Sequence, residues 1–373
     1  MIAALVALAL LQEPAADAAA STRPGRLLAQ EREALALAAA IDAAGVEPGF
    51  CAALQAVLDA HPGDPETLPF VDVRNGKVPI GAFRQFARWN LPDRWPLPAD
   101  GAAAAGPQVA VDRAVAHHPL PAIVDFDRQL AAHGIELLVV LLPSRLEIHP
   151  ELLIDVPATG FVGLGSGTQR FVAELAREGV DAVSLTARFV AERFGATPSD
   201  QLFLRSDPHL TPRGYSLAAR AAAERLAQFP GFVPGTLAEG RDFQVVAAEF
   251  GYQPSESLVT RGATIEAVRG ETLQKERAIV DLHDPAAPLV VLGDSHLRLH
   301  AFTACDFVSQ LARFHGAKVD FLKADGGAID TVRVKLARRD EARWQTMKTV
   351  VWLLSETVIA PGPRWKRIAL PPP

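Results

Sequence analysis

From about residue 120 onward, apolar residues fall into two alternating patterns. Residues 135–142, 180–185, 289–292, 319–322 and 349–354 form short, mostly apolar runs with little polar alternation. Such runs suit strands of a parallel sheet covered on both faces. Between them, 121–132, 168–178, 186–194, 212–228, 297–314, 329–337 and 341–347 carry apolar residues at helical spacing. Strands separated by helices of this length predict right-handed crossovers. The fold class is therefore α/β, with a central parallel sheet flanked by helices. Reactive groups in such sheets gather at the carboxyl ends of the strands.

The alternation breaks between about 230 and 288, where 242–250, 257–260 and 279–282 read as short strands with glycine turns. This stretch is either a small β insertion beside the cleft or an irregular lid. Residues 201–205 read as a short strand. Upstream, 31–60 is an Ala- and Leu-rich helical pair broken at Gly45-Val-Glu-Pro48, and 61–120 reads as an irregular connection. The domains expected are a leader over 1–20, an N-terminal helical and irregular region over 21–115 and a main domain over 116–360. A Pro-rich tail over 361–373 is expected to be extended and exposed.

Two stretches carry chemistry. In the first, Leu289 to Leu292 run straight into Gly293-Asp294-Ser295. Gly293 permits a tight turn where a side chain would clash. That puts Ser295 where a strand passes into a helix, a good place for a nucleophile beside an oxyanion site. Asp294 or Ser295 serves equally well as a helix cap. The second stretch is Ser206-Asp-Pro-His-Leu-Thr-Pro-Arg-Gly-Tyr215. Thr211 reads as an N-cap with Pro212 as the first helical residue. Pro208 holds Asp207 extended, so Asp207 and His209 lean the same way ahead of the helix. His209 can then take a proton from Ser295, with Asp207 holding the other ring nitrogen or bonding nearby backbone. A solvated Asp-Pro turn is the plain alternative.

Together these blocks resemble the SGNH-hydrolase-like domain of the alginate O-acetyltransferase proteins of the AlgJ/AlgX type. In that family an Asp-Thr-His-Trp block precedes the serine block, and Asp207 and His209 likewise precede Ser295. Arg205-Ser-Asp-Pro-His209 is similar to the family's Arg-Thr-Asp-x-His run. Val139-Val-Leu-Leu-Pro-Ser-Arg-Leu-Glu-Ile-His-Pro150 resembles its strand ending in Pro, and Val350-Val-Trp-Leu-Leu-Ser-Glu356 its closing strand. The resemblance implies an SGNH-hydrolase-like, flavodoxin-like fold and serine-dependent O-acetyl transfer to a polysaccharide acceptor. Ser295 is then the nucleophile, His209 the base and Asp207 its orienter. Acetyl would come from a membrane-bound O-acyltransferase partner, with no cofactor. Leu210 stands where the family has Trp, and His296 where it has an aromatic residue, so alginate itself is not implied. The Asn of an SGNH oxyanion hole has no counterpart, since Asn75 and Asn90 lie outside the matching stretch. Gly326 and Gly327 are the oxyanion candidates, with either a tight turn or an oxyanion role. His296 is a candidate leaving-group contact or a packing residue, and Arg205 a candidate substrate contact. An acetylesterase and a noncatalytic polysaccharide-binding or assembly protein share most of these features.

Charge and composition narrow this little. A net charge of −6 argues against phosphate-driven nucleic-acid binding. Cys51 and Cys305 set no disulfide framework, although an oxidising compartment would allow them to pair. The His117-His118 pair has no third metal ligand in view, and no metal site is expected. Residues 2–11 form an unbroken apolar run of signal-peptide length, followed by Ala18-Ala-Ala20 before Ser21. That predicts export to the periplasm, with an uncleaved N-terminal tether or an apolar first helix as alternatives.

Overall fold

A computed structural model describes residues 22–59, 70–73, 76–79, 118–156, 160–194, 197, 200–205, 207–232, 235–254, 265–326, 328–359 and 364–373. The leader, Asn75, Asn90, Ser206 and Gly327 lie outside the described residues.

Helix α1 (Arg23–Ala44) opens the described chain, with its N-cap Thr22 accepting from Gly25 N and a proline in its first turn. It ends at Gly45, whose φ of 66° closes the helix left-handed, and α2 (Val46–Asp59) follows. Polar anchors hold α1 to the main domain. Arg26 and Arg225 both pair with the buried Asp181, while Gln30 bridges the Val172 and Val180 carbonyls and Ala182 N. Strands β1 (Phe70–Val73) and β2 (Gly76–Pro79) form an antiparallel ribbon inside the stretch expected to be irregular.

The main domain continues with α3 (Pro119–Ala132), β3 (Glu136–Leu142), α4 (Ser166–Arg177), β4 (Asp181–Ser184) and α5 (Pro212–Leu226). Next come β5 (Gln244–Tyr252), β6 (Glu266–Lys275) and β7 (Ala278–Ile279), which form a separate antiparallel sheet. Strand β8 (Leu289–Gly293), α6 (Phe307–His315), β9 (Asp320–Lys323) and β10 (Thr349–Ser355) complete the fold.

Strands β4-β3-β10-β8-β9, in that order, make one sheet whose neighbouring pairs are all parallel. Continuous apolar strands are explained by this arrangement, because alternate residues enter two cores. Leu138, Val140, Val291, Val351 and Leu353 pack under α5 and α6. Leu137, Val139, Val290, Leu292, Val350 and Trp352 pack under α3, α4 and a helix over Thr331–Ala337. Each such side chain, fully buried, contributes about 1.5–3 kcal/mol.

The structure corrects four local expectations. Residues 297–314 are not one helix: 3₁₀ turns Ser295–Leu297 and Ala301–Thr303 come first, and α6 starts only after the N-cap Asp306. Residues 201–205 are not a strand and make only a bridge, Phe203 to Leu210. Of the expected insertion strands, 257–260 lies outside the described residues, and the other two missed β6, the longest of that sheet. The Pro-rich tail is not exposed throughout, because among its described residues Trp365 and Leu370 enter the same core as Trp352, and Trp365 lies 5.8 Å from Trp352, centroid to centroid. No disulfide joins Cys51 and Cys305, both buried. His118 caps α3, its Nδ1 accepting from Leu120 N at 3.3 Å.

Candidate active site

The acid–histidine loop is a tight reversal. Leu204 N donates to the His209 carbonyl and Thr211 N to the Leu202 carbonyl, each at 3.0 Å. Thr211 caps α5 by accepting from Gly214 N at 3.3 Å, and its hydroxyl donates to the Gln201 carbonyl. Gly214 is required for this closeness, since a Cβ there would collide with the Leu202 carbonyl. The reversal leaves Asp207, Pro208 and His209 at its tip.

Ser295 is presented by β8. A Cβ on Gly293 would lie 2.9 Å from the Leu297 side chain and 3.2 Å from the Leu353 carbonyl, so the turn closes only with glycine. Asp294 Oδ1 accepts from His296 N at 3.0 Å and caps the 3₁₀ turn that carries Ser295. The capping alternative and the turn for Ser295 therefore coexist, divided between neighbouring residues.

Loop and turn meet although 86 residues separate them. His209 Nε2 lies 2.6 Å from Ser295 Oγ, and His209 Nδ1 is hydrogen-bonded to Asp207 Oδ1. A carboxylate can only accept, so Nδ1 carries the proton and Nε2 is left to accept from the serine hydroxyl. Asp207 Oδ1 also accepts from His209 N at 2.9 Å. The aspartate thus makes both bonds between which the sequence left a choice. Its side chain is 2% exposed and that of His209 17%, so the acid is sealed while the imidazole stays reachable. Burial would raise the Asp207 carboxyl, but the His209 bond and charge, with a hydrogen bond from Tyr252, hold it below its ordinary value.

The remaining candidates fall in different places. His296 is in the site: its ring centroid lies 4.5 Å from that of His209, and its Nδ1 is 3.1 Å from the Tyr215 hydroxyl. Burial, helped by the nearby His209, holds its imidazole well below the ordinary value, so it is neutral. Arg205 is exposed; its backbone N–H donates to Glu266 Oε2 at 2.7 Å, and its carbonyl accepts from Arg145. Gly326 lies in the turn after β9 at φ 63°, with its carbonyl accepting from Arg364. Ala324 N donates to the Gly293 carbonyl at 3.1 Å, which sets that turn beside the serine turn.

Three contributors carried no role in the sequence pattern. Tyr252, the last residue of β5, donates its hydroxyl to Asp207 Oδ2. His300 Nε2 donates to the Leu210 carbonyl at 3.2 Å, and its ring packs on both Tyr215 and Tyr252. Tyr215 reaches His296 from α5. The chain has only two tyrosines, and both stand here. That scarcity, with Tyr215 inside the acid–histidine block, is the signal by which they were findable.

A family model for the SGNH hydrolase-like domain of the acetyltransferase AlgX matches residues 104–356. The chain is 34% identical over 108 residues to a probable alginate O-acetylase AlgJ of Pseudomonas fluorescens, covering 28% of this chain and 26% of that protein. It is 33% identical over 100 residues to the corresponding protein of Pseudomonas syringae pv. tomato, covering 26% of this chain and 24% of that one. These matches span about a quarter of the relatives' length. The solved O-acetyltransferase domain of Pseudomonas putida AlgJ superposes with a TM-score of 0.51 at 20% identity, over 68% of this chain and 86% of that one, and shares its fold. With the family model spanning well over half of its length, the chain belongs to the AlgX-type SGNH hydrolase-like acetyltransferase domain family.

Proposed function

We propose that this chain is an exported serine-dependent O-acetyltransferase that acts on an extracellular polysaccharide through an acetyl-serine intermediate. The observation that carries the reading is the continuous hydrogen-bonded series Asp207–His209–Ser295 at the carboxyl end of β8. Ser295 Oγ attacks the acetyl carbonyl as its proton passes to His209 Nε2, and the ionised Asp207 stabilises the imidazolium. Collapse of the tetrahedral adduct breaks the bond to the donor's leaving group, which takes that proton from Nε2. A sugar hydroxyl then gives its proton to Nε2 and attacks the acetyl-serine. Collapse of this second adduct breaks the bond to Ser295 Oγ, which takes the proton back from Nε2 and leaves the sugar ester. Backbone N–H groups of the serine turn and of the Gly326 turn stand as candidates for the oxyanion. A membrane-bound acyltransferase is the proposed source of acetyl, and the periplasm the proposed place.

The test is acetyl release from p-nitrophenyl acetate by the wild type and by Ser295→Ala, with and without an oligosaccharide acceptor. The expected result is a burst and an acetylated Ser295 in the wild type, neither in the variant, and acetyl transfer to the acceptor. Acetate release that leaves the acceptor unmodified points to an esterase. Equal rates for the two proteins overturn both enzymatic readings.

A further inference from the structure

Tyr252 and Glu266 stand directly opposite each other in the β5–β6 pair. Both reach the same loop: the Tyr252 hydroxyl donates to Asp207 Oδ2, and Glu266 Oε2 accepts from Arg205 N at 2.7 Å. From the main domain, Arg145 donates to the Leu204 carbonyl at 3.3 Å and to that of Arg205. The loop is thus gripped between the residues that follow β3 and the free end of an inserted hairpin. We propose that this hairpin is a clamp on the acid–histidine loop and that Tyr252 is the positioning residue through which it sets His209. The inference rests on the serine–histidine–aspartate reading above.

Tyr252 is suited to this task because a protonated phenol facing a carboxylate can only donate to it. Burial, and the hydrogen bond to Asp207, push its hydroxyl above its ordinary value, so it stays protonated. Its hydrogen bond draws charge out of Asp207 Oδ2 and tempers how tightly Oδ1 holds the imidazolium. Removing the hydroxyl leaves a more basic carboxylate, which draws harder on the Nδ1 proton of the His209 ring. Around the loop stand Asp294, His296 and His300 on the serine side, Tyr215 on α5, and Arg205 and Glu266 at its outer edge; Asp207 is the group whose bonded donor the substitution removes.

Tyr252→Phe keeps the ring that packs 5.9 Å from His300 and deletes only the donor. In p-nitrophenyl acetate assays kcat falls on the order of tenfold, as for loss of one hydrogen bond to a charged group. KM is unchanged, and the acid limb of kcat/KM moves to higher pH. The downfield proton resonance of His209 Nδ1–H moves further downfield, a readout that needs no turnover. Glu266→Ala, which frees Arg205 N without touching the carboxylate, lowers kcat with the limb in place. Tyr252→Phe with an unmoved limb and an unmoved resonance overturns the proposal, whatever its kcat. Wild-type activity in Ser295→Ala overturns the underlying reading instead, so the two failures are told apart.

Discussion

Two buried carboxyl groups sit over the same edge of the sheet and are held in opposite states. Asp207 accepts from the His209 ring, from His209 N and from Tyr252, and it lies below its ordinary range. Glu147, just past β3, shares the Ser144 backbone N–H with Glu356, at 3.0 and 3.2 Å. Burial first, and then the facing Glu356 carboxylate, raise Glu147 well above the ordinary value. Burial pushes both acids upward, so it does not explain the difference; the donors do. Asp207 meets an imidazole and a phenol, Glu147 meets a second acid. One arrangement favours an ionised acceptor for the His209 ring, the other favours a protonated acid beside Glu356.

The largest break in this comparison should come from Asp207→Asn. An amide can donate to Nδ1 and so favours the wrong imidazole tautomer, and kcat/KM for p-nitrophenyl acetate should fall by about 10⁴ with the fold intact by circular dichroism.

His300 is the next test, as a base held neutral where Glu147 is an acid held neutral. Burial lowers His300 from 6.5 to about 4. Its stabilisation is therefore complete above its unfolded value and lost as pH falls toward 4, a swing on the order of 3 kcal/mol. His300→Gln keeps a donor for the Leu210 carbonyl but does not titrate. Urea unfolding of this variant should show a flatter stability profile between pH 6.5 and 4 than the wild type.

Gly214→Ala probes the loop that gives Asp207 its donors. The added methyl meets the Leu202 carbonyl, and the midpoint of urea unfolding should report a loss of about 1–3 kcal/mol.

Glu147→Gln should have the smallest effect, and of opposite sign. A raised carboxyl stabilises fully below its unfolded value and loses that stabilisation as pH rises through the folded one. Glutamine supplies a donor to Glu356 at every pH. The variant should match the wild type at low pH and exceed it at pH 8 by about 1 kcal/mol in thermal unfolding.

Much of this architecture was legible because strand burial leaves an unambiguous mark. Leu137 to Leu142 and Val290 to Leu292 are apolar on both faces, which only a covered parallel sheet accommodates. The acid–histidine block and the serine block were legible from turn chemistry, through Pro208, Thr211, Pro212 and Gly293. Strand β6 was not, because Glu266–Lys275 is largely polar, mixes exposed with buried positions and carries Gly270 in its middle. Residues 297–314 have a helical pattern, yet Ser295–Leu297 and Ala301–Thr303 tighten to 3₁₀ turns ahead of the Asp306 cap. The tail was misjudged from its prolines, because Trp365 found a slot beside Trp352 that no local pattern announces.

Taken alone, then, the order of residues settled the local states of the regular α/β part: where most of its strands and helices run, and which turns require glycine or proline. These depend on periodicity and steric fit within a few neighbours. Tertiary structure alone decided the strand order β4-β3-β10-β8-β9 and the meeting of His209 with Ser295. It also decided the return of a polar hairpin that lays Tyr252 on Asp207. A hydrophobic pattern records that a side chain is buried but carries no address for the distant partner it is buried against.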